Sequence, residues 1–356
     1  MENHMGLMDR LKAASTIKET AILDESKFFS DVEFTTTSVP AINIAFSGRL
    51  DGGFTSGLHV FAGPSKHFKT SFALLSAKAY MDKHKDSVCL FYDSEFGTPQ
   101  SYFDSFGIDK SRVLHTPITD IEQLKFDIMK QLDGIKRGDK VIFVIDSIGN
   151  LASKKEVEDA LSEKSVADMS RAKQLKSLFR MVTPHLSLKD LPMIVVNHIY
   201  MEQGLYPKAI VSGGTGIYYS ANTIWIIGRS QEKDGTEVAG YNFNVTVEKS
   251  RFAREKSRIP VTVMHGGGLQ KYSGLLDIAL ESGHVIKPSN GWYQSVDKET
   301  GEISEKKYRI ADTNVAAFWE PILSSASFKE YVETQYSVAN GSIMSDSEID
   351  DEMEAA

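Results

Sequence analysis

The sequence has 356 residues, 41% of them hydrophobic and 25% charged, with a net charge of −8. That composition suits a globular protein with one large core and smaller appendages, and the chain is too short for several full domains. No apolar run approaches the roughly 20 residues of a membrane helix, and the mixed charges of Met1–Lys12 exclude a secretory signal. The single cysteine, Cys89, lies inside an apolar run, can form no internal disulfide, and fits a reducing cytoplasm. Six acids with no base crowd into Ser345–Ala356; without them the rest of the chain carries only −2. Charge therefore neither supports nor excludes a polyanionic partner, because clustered Lys and Arg can still line a local groove.

In chain order, Met5–Ala14 reads as a helix, followed by a polar stretch ending at Lys27–Asp31. The apolar runs Leu58–Ala62, Val88–Tyr92, Val141–Ile145, Met193–Asn197 and Thr223–Ile227 read as buried strands. Between them lie helical stripes: Ile121, Leu124, Ile128, Leu132 and Ile135 recur every three or four residues, as do Met169, Ala172, Leu175, Leu178 and Val182. This alternation predicts an α/β fold, a mostly parallel central sheet flanked by helices. Tyr241–Glu248 and Arg258–Met264 alternate like antiparallel strands closing the sheet's edge, and Gly266–Gly268 is a joint. Beyond it, Tyr272–Ser282 and Phe328–Gln335 read as short helices with a polar hairpin near Asp297–Gly301, a small α+β C-terminal domain. The acidic tail from about Asn340 is expected to be disordered, since it cannot bury enough apolar surface to offset chain entropy.

The most informative segment runs from His59 through Gly63-Pro64-Ser65-Lys66-His67-Phe68-Lys69-Thr70 into a helix over Ser71–Met81. A strand entering a loop that ends in Lys-Thr and opens a helix is the layout of a phosphate-binding loop. Backbone N–H groups face the phosphates, Lys69 reaches the outer ones, and Thr70 offers its hydroxyl to Mg²⁺. Phe68 departs from the pattern, which has glycine before the lysine. A phenylalanine fits there only with an ordinary φ and a ring turned from the phosphates.

Two apolar strands then end in acids. Lys140-Val141-Ile142-Phe143-Val144-Ile145-Asp146-Ser147 matches a Walker B strand, whose Asp146 would hold the metal through water; the alternative is an Asp capping a turn. Leu90-Phe91-Tyr92-Asp93-Ser94-Glu95 puts Glu95 at the C-terminal edge of the sheet, where α/β sites form. A carboxylate there can activate the water that attacks a γ-phosphate. Asp93 ranks below it as base, and a solvated acid at a strand end is the plainer alternative.

Taken in order, Leu50-Asp51-Gly52-Gly53, Gly57, the loop, Tyr92-Asp93-Ser94-Glu95, Ile145-Asp146-Ser147 and Val196-Asn197-His198 resemble the RecA/RadA recombinase core. The loop with Phe68-Lys69, and Asp146-Ser147-Ile148-Gly149-Asn150-Leu151-Ala152-Ser153-Lys154-Lys155-Glu156, are most similar to the UvsX branch of T-even-type phages. The resemblance runs from about Leu11 to Asn340.

It implies a RecA-like ATPase core at 31–268, preceded by a protomer-docking segment at 1–30. A small domain at 269–340 and the tail at 341–356 follow. It implies ATP and Mg²⁺ as cofactors: residues 63–71 (Gly63 to Ser71) around the nucleotide, Lys69 and Thr70 on phosphate and magnesium, Asp146 as the Walker B acid and Glu95 as the catalytic carboxylate. Tyr102 resembles the aromatic that stacks on adenine, against the alternative of a core tyrosine. Asn197 holds the position of a polar γ-phosphate sensor, with His198 as its neighbour. Lys249 and Arg251 match paired bases that reach a neighbouring protomer's nucleotide, where cations stabilise charge on the transferred phosphoryl group.

Two loops would bind DNA in a sequence-independent, salt-sensitive way. One lies within about Ser153–Ser165 and leads into a helix carrying Arg171, Lys173, Lys176 and Arg180. The other spans roughly Tyr200–Tyr218, with Met201, Leu205, Tyr206, Lys208 and Gly213-Gly214-Thr215-Gly216. The plain alternatives are a solvated basic helix and a flexible glycine loop. The implied activity is an ATPase coupled to filament formation on single-stranded DNA and strand exchange with double-stranded DNA, in recombination, repair and recombination-dependent replication. Implied partners are further copies of the chain, a single-strand-binding protein and a recombination mediator, with no membrane, in the cytoplasm of a phage-infected bacterium. A ring helicase and a non-hydrolysing paralogue are the competing readings.

Overall fold

A computed structural model describes residues 6–26, 32–162, 170–202, 204, 207–234 and 236–339. The acidic tail, Lys27–Asp31, Met169, Leu205, Tyr206 and the end of the first loop lie outside the described residues. In chain order come α1 (Leu7–Ala14), α2 (Pro40–Ser47), β1 (Gly57–Ala62), α3 (Lys69–Lys83), β2 (Val88–Asp93), α4 (Gln100–Ser105), β3 (Val113–Pro117), α5 (Ile121–Gly134) and β4 (Val141–Asp146). Next are α6 (Lys154–Leu161), α7 (Ser170–Lys189), β5 (Pro192–Asn197), β6 (Ile199–Met201), β7 (Ala209–Val211) and α8 (Thr215–Ser220). The last third holds β8 (Thr223–Asp234), β9 (Glu237–Ser250), β10 (Arg258–Met264), β11 (Gly268–Leu269), α9 (Leu275–Glu281), β12 (Val285–Ser289), β13 (Trp292–Ser295), β14 (Tyr308–Arg309), α10 (Ala316–Ser324) and α11 (Ala326–Tyr336).

Residues 1–37 and 54–226 make one compact unit. Its strands lie in the order β8–β1–β5–β4–β2–β3, and every neighbouring pair is parallel. β1 and β5 are buried at every position, which is why the sequence shows continuous apolar runs in place of alternation. On one face, Leu58, Val60, Leu90, Phe143, Ile145, Met193 and Val195 pack with the stripe Ile121, Leu124, Ile128 and Leu132 of α5. Leu175, Leu178, Phe179, Val182 and Leu186 of α7 join the same cluster. On the other, Phe61 stacks on Trp225 at 4.4 Å, and Phe72 of α3 meets Trp225 edge-on. Ten of the fifteen residues of α3 are buried, so the helix carries little amphipathic signal. Strand register puts Ala62 opposite Asn197 and Asp93 opposite Asp146, so four strands end together at one edge.

Residues 38–53 and 227 onward make the second unit. There β9 and β10 pair antiparallel, as do β10 and β11, and α2 packs against β9 and β10. A separate antiparallel sheet, β12–β13–β14, accompanies α9, α10 and α11. The polar hairpin at Asp297–Gly301 is present: Gly301 N–H donates to Asp297 O, and the Asp297 carboxylate accepts from Glu299 N–H.

Several elements differ from the sequence reading. The unit division falls at 226/227, whereas the reading divides core from C-terminal domain at 268/269. Within the second unit α2, drawn from residues 38–53, packs on the antiparallel strands β9 and β10. Gly274 is packed so that a Cβ would sit 2.4 Å from Pro260 O. The helix expected over Tyr272–Ser282 starts only at Leu275, because Gly274 at its N-cap has φ +77°. α10 was invisible to pattern reading, with Pro321 inside it. The glycine loop at 213–216 is partly ordered into α8, where a Cβ on Gly216 would lie 2.9–3.0 Å from Lys176.

Candidate active site

The loop after β1 leads into α3 at Lys69. Phe68 caps that helix with φ +62°, and Lys66 has φ +60°. The expectation of an ordinary φ at Phe68 is therefore wrong: the position keeps the left-handed backbone that glycine usually supplies. Such strain costs on the order of 1–3 kcal/mol for a residue with a Cβ. The ring offsets part of this by meeting Phe72 edge-on at 5.3 Å, one turn into α3. Phe68 thus preserves the loop's geometry while anchoring it to the helix. Gly63 N–H donates to Asn197 O, tying the loop's first residue to β5. Pro64, Ser65 and Lys66 are exposed and His67 is half-buried, its Nδ1 2.8 Å from Ser65 O. Ser71 is buried in the first turn.

The Lys69 ammonium is buried and donates to Pro64 O at 2.7 Å, bent back over the loop. Burial lowers its pKa, opposed by the nearby negative charges of Glu95 and Asp146. The next residue, Thr70, donates its hydroxyl to Asp146 Oδ2 at 2.6 Å. Asp146 is 2% exposed, and its other oxygen, Oδ1, is buried with no hydrogen-bond partner. Burial pushes this carboxyl up to about 6. An unpartnered carboxylate oxygen in a dry position, beside a threonine hydroxyl at a helix start, is a donor set that suits a hard divalent cation.

Glu95 follows β2 in a turn organised by Asp93, whose Oδ1 accepts the N–H groups of Glu95 and Phe96. Asp93 Oδ2 lies 3.2 Å from His115 Nε2, so both oxygens are engaged, which suits its lower rank as a base. Ser94 Oγ donates to Ser147 O and accepts from Ser147 N–H, clamping the two strand ends together. Three side chains then converge on Glu95 Oε1: Ser147 Oγ at 2.6 Å, His198 Nε2 at 3.1 Å and Asn150 Nδ2 at 3.3 Å. The His198 contact, then the Ser147 hydroxyl, hold the Glu95 carboxyl down to about 2 against the opposing effect of burial. Gly149 makes this possible, because a Cβ there would stand 2.1 Å from His198 Cδ2.

Asn197, expected as the γ-phosphate sensor, has both polar side-chain atoms engaged by the protein. It is fully buried, donating from Nδ2 to Ser212 O and accepting His198 N–H on Oδ1. The polar side chain that reaches the Glu95 carboxylate is that of His198, the residue after β5. Sequence reasoning treated it as a neighbour and did not single out Ser147, Asn150 or Gly149. Only their position just after an acid-tipped strand could have flagged them.

A family model of the RecA N-terminal domain matches residues 14–270. The chain belongs to the RecA family. A second family model, the C-terminal domain of the bacteriophage T4 recombination and repair protein, matches residues 272–332. The chain is 51% identical over 334 residues to the recombination and repair protein of Enterobacteria phage T4, covering 93% of this chain and 85% of that one. It is 25% identical over 278 residues to Protein RecA of Paracoccus denitrificans, covering 77% and 75%. Against Protein RecA of Ruegeria pomeroyi it is 26% identical over 276 residues, covering 76% of each.

The remaining RecA-family candidates divide between the two units. Tyr102, on α4 of the first, is 45% exposed, which removes the alternative of a core tyrosine. Lys249, near the end of β9, and Arg251, just beyond it, belong to the second unit; burial and then the neighbouring Arg251 lower the Lys249 pKa. In the first unit, Lys173, Lys176 and Arg180 are exposed on α7, whereas Arg171 is half-buried and points into the protein. β6 pairs antiparallel with β7 as a two-stranded ribbon, with Tyr200 and Met201 exposed at 53% and 55%. No helix among the described residues is long and apolar enough to cross a membrane.

Proposed function

We propose that this RecA-family chain is an ATP-dependent DNA recombinase. It assembles as a filament on single-stranded DNA, pairs it with homologous duplex, exchanges strands and hydrolyses ATP under DNA stimulation. The observation that supports this most is the meeting of Lys69, Thr70, Asp146 and Glu95 at one edge of a parallel sheet, in a chain 51% identical to a phage recombination and repair protein. Residues 63–71 cradle the phosphates of ATP, Tyr102 offers an exposed ring to the base, and Thr70 and Asp146 hold Mg²⁺. When bound, that ion would neutralise charge on the phosphate oxygens. Glu95 orients the attacking water and takes its proton on Oε2, which no donor among the described residues reaches.

His198 connects this chemistry to DNA. It holds Glu95 as a very weak base and directly precedes β6, which starts the second DNA-binding loop. Moving that ribbon onto DNA would withdraw His198 and make Glu95 a stronger base. Lys249 and Arg251 serve the nucleotide of the next protomer, so turnover follows assembly. Residues 1–30 dock protomers, 31–268 form the ATPase core, 269–340 the small domain and 341–356 a regulatory tail. A single-strand-binding protein and a mediator complete the partners, in the cytoplasm of an infected bacterial host.

ATPase measured with and without single-stranded DNA, together with a strand-exchange assay, tests the reading. Lys69→Ala is expected to abolish both activities. Wild-type exchange in that variant would overturn the site assignment, and unwinding without exchange would favour a helicase.

A further inference from the structure

Arg171 behaves unlike the other bases of α7. The sequence placed it with Lys173, Lys176 and Arg180 as a phosphate-facing charge, yet its guanidinium is turned inward and makes four hydrogen bonds to uncharged acceptors. Nε donates to Leu151 O at 2.8 Å, and one terminal nitrogen donates to Ile148 O at 2.9 Å and Gly149 O at 2.7 Å. The other donates to Ser212 Oγ at 3.3 Å. A planar fork of five N–H groups is the one side chain able to gather so many acceptors from separate directions.

Those acceptors belong to two functional segments. Ile148, Gly149 and Leu151 frame the turn that carries Asn150 to Glu95 and leaves space for His198. Ser212 opens the stretch between the ribbon β6–β7 and α8, and is held on its other side by Asn197 Nδ2 and by its own N–H on His198 O. Arg171 is also the second residue of α7, at the point where the first DNA-loop segment enters that helix. Two close approaches brace the same junction: a Cβ on Gly213 would lie 3.0 Å from Leu175 of α7, and one on Gly216 as close to Lys176.

We infer that Arg171 is a positioning residue that locks the turn after β4 to the C-terminal half of the second DNA loop, so that DNA engagement is transmitted to Glu95. The inference rests on the recombinase reading above. It differs from a phosphate contact in one respect: the function lies in fork geometry and not in positive charge. Lysine, which keeps the charge and loses the fork, does not substitute.

The test compares Arg171→Lys and Arg171→Met with wild type. Two quantities are read: the ratio of ATPase with and without oligothymidylate, and the slope of log affinity for oligothymidylate against log salt. Both variants are expected to lose about tenfold of the DNA stimulation, within the usual range of coupling between sites, with an unchanged salt slope. Full stimulation in Arg171→Lys, or a slope shallower by about 0.7, the value for one lost phosphate contact on a single strand, would overturn the inference. Should both variants fail to fold by circular dichroism, Ser212→Ala, which deletes a single bond of the fork, decides alone. Reduced stimulation supports the link, and wild-type stimulation removes it. A wild-type protein without any DNA stimulation would instead remove the recombinase reading, so the two failures are distinguishable.

Discussion

The loop between β1 and α3 and the Glu95 cluster stand at the same sheet edge, yet they are built in opposite ways. The loop is one continuous segment whose shape comes from backbone dihedrals, including φ +60° at Lys66 and +62° at Phe68. Its one unusual residue is absorbed locally, by a ring contact four positions along α3. The Glu95 cluster draws Ser147 and Asn150 from the turn after β4 and His198 from the end of β5, with Gly149 cleared to let them meet. A local device tolerates a side-chain change that keeps the dihedral; a convergent one depends on every segment being in place.

Mutations can break or sharpen that contrast. The largest effect is expected for Glu95→Gln, which removes the proposed proton acceptor while leaving the loop intact. Turnover should fall by about 10²–10⁴-fold with ATP affinity nearly unchanged, as read by steady-state hydrolysis and equilibrium nucleotide binding. Equal losses in both would place Glu95 in binding and not in chemistry. Gly149→Ala comes next. Its methyl group would have to displace His198 or the turn, so the ratio of DNA-stimulated to unstimulated hydrolysis should shift about tenfold while thermal stability changes little by comparison. An unaltered ratio would show that His198 does not gate Glu95.

The smallest effect is expected at Phe68. Glycine there relieves the left-handed strain but loses the contact with Phe72, two contributions of about 1 kcal/mol each and of opposite sign. ATP affinity and denaturant midpoint should therefore stay close to wild type. Phe68→Ala, which keeps the strain and loses the ring, should be the less stable of the two. A reversed order would mean that the left-handed dihedral at this position carries no strain for a residue with a Cβ.

The sequence by itself determined the parallel-sheet architecture of the first unit and the strand-loop-helix that opens it. Buried parallel strands advertise themselves as apolar runs, and the stripes of α5 and α7 repeat at helical spacing. The strand-loop-helix of residues 57–83 is local, and so is the acid at the end of β4. Elements whose burial hides any period were not legible. α2, seven of whose eight residues are buried, went unread, and so did α10 with its internal proline. Nor did the order of segments along the chain reveal that residues 38–53 fold with the C-terminal unit.

Tertiary structure alone decided which polar groups meet. His198 and not Asn197 reaches Glu95, because successive residues at a strand end point in different directions. Arg171 faces inward while Lys173 and Lys176, a few residues along the same helix, face out, because only one side of α7 meets the turn after β4. Residue type records the chemistry a side chain can perform, whereas the partner it performs it with is set by segments far away in sequence and brought together only by packing.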